Sequence, residues 1–146
     1  MTDVLGDPLG EVRDVRLVRI GRVDAGNGSL TVAEVGSQLP FPVRRFFTVF
    51  DVPAGELRGT HAHRECHQFL VAVHGSVTAR VDDGARTAET VLDRPELGLY
   101  LPPLIWGGQL DYSPGAVLLV FASHPYDRSD YIEDYEEFLR MVRSGR

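Results

Sequence analysis

Apolar residues fall in short runs, most separated by roughly 8 to 12 residues and punctuated by Gly, Pro, Asp and Asn, the pattern of many short strands. Val15, Leu17, Val18 and Ile20, beside Arg16 and Arg19, predict the first strand. Asp24-Ala-Gly26-Asn27-Gly28 is turn chemistry, because Asn and Gly accept positive φ, and Ser29 to Val35 predicts the second. Pro40-Phe-Pro42 breaks the chain before Val43 to Val52. That Phe- and Val-rich run predicts a strand buried on both faces, with its phenylalanines in the core. A polar stretch then leads into the apolar run Phe69 to Val73. Val77 to Val81 alternates up to Asp82-Asp83-Gly84, a hairpin signal whose acidic tip is expected in solvent, and Arg86 to Leu92 is its partner. Gly98 to Leu101 predicts a short strand, Pro102-Pro103 a fixed turn aiming Trp106 back over the strands, and Ala116 to Ala122 a buried strand.

From Asp130 the period changes. Ile132, Tyr135, Phe138, Leu139 and Val142 recur at helical spacing, with Asp130 and Glu133 as a capping pair, so 130–143 is expected to be a C-terminal helix packed on the strands. The acid cluster Glu133, Asp134, Glu136 and Glu137 is expected in solvent. Residues 1–11, with Gly6, Pro8 and Gly10, are expected to be a loose lead-in. Without linker or repeat, 1–146 reads as one all-β sandwich or barrel carrying a C-terminal α-helix.

Composition narrows the function classes. A chain of 146 residues with 43% hydrophobic content can bury a core without disulfides or a structural metal. Net charge −6 and a pI near 5.3 argue against a nucleic-acid surface, so an anionic ligand must be held by local arginines. All fifteen basic residues are arginine. The single cysteine, Cys66, excludes an internal disulfide and suits a reducing compartment. No apolar run approaches the ~20 residues that span a bilayer, and no signal pattern opens the chain, so no membrane association and a cytoplasmic location are expected.

The chemistry concentrates in Gly55 to Gly75, GELRGTHAHRECHQFLVAVHG. His61 and His63 are two apart, which on a strand puts both imidazoles on one face. Such a pair can hold a metal or move protons near neutrality. Five residues separate Gly55 from His61, four separate His63 from Gln68 and six separate Gln68 from Gly75. This spacing resembles the first motif of the cupin barrels, which has Glu where Gln68 stands. Gly98 through Pro102 to Gly107 resembles the second motif, whose usual fourth ligand, a histidine, is Gly107 here. With the carboxylate made a neutral amide and the last ligand deleted, a divalent cation loses charge neutralisation and coordination number. No metal and no other cofactor are expected. His67, a candidate replacement ligand, faces opposite to Gln68 on a strand.

Arg58-Gly-Thr-His61-Ala-His63-Arg64, His67-Gln68, Gly98-Leu-Tyr100 through Pro102-Pro103 to Trp106, Ser123-His-Pro-Tyr126-Asp127 and Asp130-Tyr131-Ile132 together resemble the dTDP-4-oxo-6-deoxyglucose 3,4-ketoisomerases, metal-independent cupins of nucleotide-sugar biosynthesis. The resemblance runs over about residues 14–140. It implies a cupin jelly roll, a dTDP-linked 4-oxo-6-deoxy sugar as substrate, the first histidine, His61, as catalytic base, and a homodimer exchanging N-terminal strands. Two departures stand out. Asn27 precedes Gly28 where the family has arginine, and the strand with Phe46, Phe47, Thr48 and Phe50 lacks the family's tyrosines.

Moving a carbonyl between neighbouring carbons removes an acidic α-proton, passes through an enediol and returns a proton at the other carbon. The site needs a near-neutral base, an acid for oxygen and exclusion of water, but no redox cofactor. His61 is the expected base and His63 its partner or the group polarising the carbonyl. Two adjacent imidazoles should not both be cationic. Arg45 and Arg58 suit bidentate contacts to a diphosphate. Gln68 suits a sugar hydroxyl or the neighbouring imidazole. In place of the missing tyrosine, Thr48 or a tyrosine elsewhere supplies the hydroxyl, or the relay residue differs in this branch, or activity is weak; Tyr100 is expected to bind substrate and to offer that phenol, or else to serve packing. Trp106 is either a stacking surface for base or sugar or a core plug. Alternatives from other classes are a nucleotide-sugar epimerase, a metal-dependent cupin dioxygenase and a non-catalytic sugar-nucleotide-binding cupin. Gluco and galacto products are equally compatible with the sequence.

Overall fold

A computed structural model describes residues 3–4 (backbone), 9 and 11–145. The 1–11 lead-in lies mostly outside the described residues. The strands in chain order are β1 (Asp3–Val4), β2 (Arg16–Arg19), β3 (Gly21–Ala25), β4 (Gly28–Val32), β5 (Arg45–Val49), β6 (Ala62–His63), β7 (Gln68–His74), β8 (Val77–Asp82), β9 (Thr87–Leu92), β10 (Leu97–Leu101), β11 (Trp106–Leu110), β12 (Val117–Ala122) and β13 (Tyr131–Ile132), followed by helix α1 (Tyr135–Ser144). The order β1-β2-β10-β7-β12-β5 makes one antiparallel sheet and β11-β8-β9 a second. β6 pairs with β13, and β3 with β4. The two main sheets form a jelly-roll sandwich.

Strand alternation divides the apolar residues between two cores. Leu70 and Ala72 of β7, Leu99 and Leu101 of β10, and Leu118 and Val120 of β12 join Val77, Ala79 and Val81 of β8 in the main cluster. Phe69, Val71, Tyr100 and Val18 lie on the other face of the larger sheet, covered by Leu39 and Phe41. With both faces covered, Phe69 to Ala72 needs no polar alternation, and of the apolar run only Val73, beyond them, is exposed. Each large side chain buried in these clusters contributes ~1.5–3 kcal/mol. Gly98 has no room for a side chain, because a Cβ there would overlap the Phe69 ring.

Three expectations are corrected. β5 is an edge strand, so the phenylalanines of this run are not all core: Phe47 turns inward, while Phe46 is 67% exposed and Phe50, just past the strand, 58%. The Asp82-Asp83 tip is buried. Asp82 accepts from the Tyr135 hydroxyl (2.6 Å), a bond that pushes that phenol up to about 12, and Asp83 accepts from the Arg13, Ala85 and Arg86 backbones. The helix spans Tyr135–Ser144 rather than 130–143. Its N-cap is Asp134, which accepts from the Glu136 N–H (3.0 Å), and Asp130 belongs to a single 3-10 turn, Arg128–Asp130, that precedes β13.

Candidate active site

Gly59 begins the site. Its φ of +70° suits glycine, and a Cβ would collide with the Gln109 amide. The His61 and His63 carbonyls then accept from Gly107 (3.0 Å) and Leu104 (2.8 Å), which pins this segment to the start of β11 and the loop before it. β13 pairs with β6 in the register Tyr131↔His63, bringing the Asp130-Tyr131 pair beside the histidines. Arg64 clamps this join. Its guanidinium donates to the Ser129 (2.9 Å) and Tyr131 (2.8 Å) carbonyls and pairs with Glu137 (2.7 Å).

The result is a cavity of about 300 Å³. Phe47, Val49, Leu70, Leu101, Ile105 and Val120 make its apolar wall; Arg58, His61, His63, Cys66, Gln68, Gln109 and Tyr131 supply its polar groups. The two Nε2 atoms of His61 and His63 lie 3.2 Å apart, and His63 Nδ1 lies 2.9 Å from Asp130 Oδ2. The Glu65 N–H donates to Asp130 Oδ1 (2.7 Å). The Tyr131 ring is centred 4.8 Å from that of His61 and 4.5 Å from that of His63.

Electrostatics set the protonation states. Burial, then His63 and Arg45, pushes the His61 imidazole down to about 4. Burial also lowers His63, against the opposing pull of Asp130. For Asp130, burial acts upward but is outweighed by the N–H groups of Glu65 and Cys66 and by His63, so its carboxyl sits below the usual range. At neutral pH both rings are neutral and Asp130 is charged. An ionised Asp130 accepts from His63 Nδ1–H, which leaves His63 Nε2 as acceptor for His61 Nε2–H and His61 Nδ1 as the free basic atom.

Of the residues expected at the site, His61, His63, Arg58 and Gln68 line the cavity. Arg45 stands beside it. Its guanidinium carbon lies 5.4 Å from the Phe47 ring centre, its buried Nε has no hydrogen-bond partner, and its charge lowers both imidazoles. Tyr100, Trp106 and Thr48 do not line this cavity. Tyr100 alternates to the opposite face of β10, where its hydroxyl meets His67 Nδ1 at 2.7 Å. Trp106 packs edge-on against Tyr135 (5.2 Å) and on Phe138 (5.7 Å), the core-plug role. Thr48 points outward on edge strand β5 and is exposed. Asp130, expected as a helix cap, and Tyr131 were missed. Their only sequence signal is the family-like Asp130-Tyr131-Ile132 block, since the β6–β13 pairing is long-range.

The usual cupin metal set does not fit these residues. The two Nε2 atoms face each other at hydrogen-bonding distance, Gln68 carries no charge and Gly107 no ligand.

A family model described as FdtA, WxcM-like, C-terminal matches residues 13–143. The TDP-4-oxo-6-deoxy-alpha-D-glucose-3,4-oxoisomerase of Aneurinibacillus thermoaerophilus is 35% identical over 127 residues, covering 87% of this chain and 91% of that protein. Among solved structures, the sugar 3,4-ketoisomerase QdtA of Thermoanaerobacterium thermosaccharolyticum in complex with TDP superposes with a TM-score of 0.89 at 32% identity, over 92% of this chain and 98% of that one. A QdtA mutant solved with TDP-4-keto-6-deoxyglucose gives 0.87 at 32%, over 90% and 96%. The WlaRB TDP-quinovose 3,4-ketoisomerase of Campylobacter jejuni gives 0.85 at 34% identity, over 88% and 99%.

Proposed function

The chain belongs to the FdtA family, and from that premise we propose that it is a dTDP-sugar 3,4-ketoisomerase, moving the keto group of dTDP-4-oxo-6-deoxyglucose from carbon 4 to carbon 3 through an enediol. The observation that carries this is the line Asp130, His63, His61 ending in a cavity of sugar size. His61 Nδ1 takes the hydrogen from carbon 3. Its Nε2–H then passes to His63, so the positive charge comes to rest against Asp130, and reversal redelivers a proton at carbon 4. Tyr131, the one tyrosine on the cavity wall among the described residues, supplies the hydroxyl expected of Thr48 or Tyr100, and carries the oxygen-bound proton from O3 to O4. Each carbon exchanges one hydrogen and each oxygen one proton, so the step balances without a redox cofactor or metal. Arg45 and Arg58 take the diphosphate and Gln68 a sugar hydroxyl.

A homodimer with exchanged segments completes this reading. In this reading the N-terminal segment that reaches the second copy is the β3–β4 hairpin, while β2 pairs with β10 of its own chain. That hairpin stands outside the main sheets, with Val23, Leu30 and Val32 each more than 40% exposed, and Phe46 on β5 and Phe50 just past it are exposed. A lone hairpin is marginal and an exposed apolar patch marks an interface, here for a second copy of the chain. Among the described residues no helix is long and apolar enough to cross a membrane. The free Cys66 agrees with a cytoplasmic enzyme.

The deciding experiment is incubation with dTDP-4-oxo-6-deoxyglucose in deuterated water, followed by NMR of the sugar ring. A 3-keto product, with solvent deuterium at carbon 4 or the original hydrogen moved there, is expected. Unchanged substrate, or deuterium returned to the same carbon with inverted configuration, overturns the assignment, the latter in favour of an epimerase.

A further inference from the structure

Cys66 takes no part in the proton line, yet it is 2% exposed, lines the cavity and lies against it. Ligand atoms of Cys66, His63 and Asp130 all lie within 4.8 Å of one another. Imidazole, thiolate and carboxylate are the ligand types of zinc, and three protein ligands with one open position are a sufficient set for it. The site is also largely built. Asp130 is held by the Glu65 N–H, and His63 Nδ1 already faces its carboxylate at 2.9 Å. The thiol donates to the His67 carbonyl (3.4 Å) and accepts from the Ser123 hydroxyl (3.8 Å), so its sulfur is fixed in place.

We propose that His63, Cys66 and Asp130 form an inhibitory site for a thiophilic divalent cation, zinc in the first instance, entered from the cavity. The inhibitory sign rests on the ketoisomerase reading above; the binding does not. The cation takes His63 Nδ1, the thiolate and an Asp130 oxygen. The thiol proton leaves to solvent, and the proton formerly on His63 Nδ1 resides on Nε2. His63 then donates to His61 Nε2, whose own proton shifts to His61 Nδ1, so the basic atom is occupied and the relay to Asp130 is cut. Magnesium, which demands oxygen ligands, is not bound.

The test uses the full chain stripped with chelator and titrated with Co²⁺ and with Zn²⁺. Three results are expected: a thiolate-to-cobalt charge-transfer absorption saturating at one metal per chain, release of one proton per metal in weakly buffered solution, and loss of turnover on Zn²⁺ addition that EDTA reverses and Mg²⁺ does not reproduce. Cys66→Ser, each inhibition curve being normalised to that chain's own metal-free turnover, should lose the absorption and need at least about 10-fold more Zn²⁺ for inhibition, since disturbing even the supports of a metal ligand costs that much. Absence of the cobalt absorption in the wild-type chain overturns the site, whether or not the chain isomerises the sugar. Equal Zn²⁺ inhibition of wild type and Cys66→Ser overturns the assigned ligands. Stimulation by zinc overturns the inhibitory role.

Discussion

Two imidazoles four residues apart, His63 and His67, each place Nδ1 on an oxygen, and they make opposite kinds of site. His63 faces the cavity, with an ionised carboxylate on one nitrogen and a second imidazole on the other. His67 meets the Tyr100 phenol at 2.7 Å, stacked on that ring and beside Phe41, with the Arg16 guanidinium 4.8 Å above the tyrosine. A carboxylate stabilises the charge an imidazole gains on taking a proton. A phenol with a cation nearby does not. The difference comes from which face of the sheet each ring reaches, not from the residues adjoining it in the chain.

Removing the base is the strongest way to break the contrast. His61→Asn should lower kcat between about 100-fold and 10,000-fold with the fold intact, measured by NMR of the sugar with circular dichroism as control. Asp130→Asn should cost about 100-fold in kcat with little change in KM, because it removes the charge that receives the proton while leaving the cavity's shape. An equal loss on replacing Tyr100 would erase the distinction between the two faces. Tyr131→Phe should slow turnover roughly 100-fold by deleting one proton carrier, the low end of what such groups contribute. Stability should depend on pH through the cavity pair. The unfolded chain protonates His61 near 6.5 whereas the fold resists until about 4, so stability is fully present above 6.5 and falls as pH drops through that window. Chemical denaturation between pH 4 and 7 reads this directly, and a flat profile would mean that His61 is solvated. Smallest, Tyr100→Phe should leave kcat unchanged and cost about 1 kcal/mol of stability, the net worth of one buried hydrogen bond.

The sandwich, its strand spacing and the His61-His63 pair on one face were legible in the chain, because period-two alternation and turn residues are local signals. So were Arg58 and Gln68, placed by the motif at fixed distances from the histidines. The placements that were not legible share one cause. Phe46, Phe50 and Thr48 depend on β5 lying at a sheet edge, Trp106 on where α1 docks, and Tyr100 on which face of β10 the cavity occupies.

Asp130 is the clearest case. By sequence it precedes a helical stripe and suits a cap; in the fold Asp134 caps the helix, and β13 returns to β6 across 67 residues to set Asp130 behind His63. Composition and periodicity determined that this chain would be a strand sandwich with neutralisable imidazoles and no disulfide. Only the tertiary structure decided which carboxylate, which phenol and which thiol those imidazoles meet, because burial and long-range strand pairing belong to the folded chain as a whole.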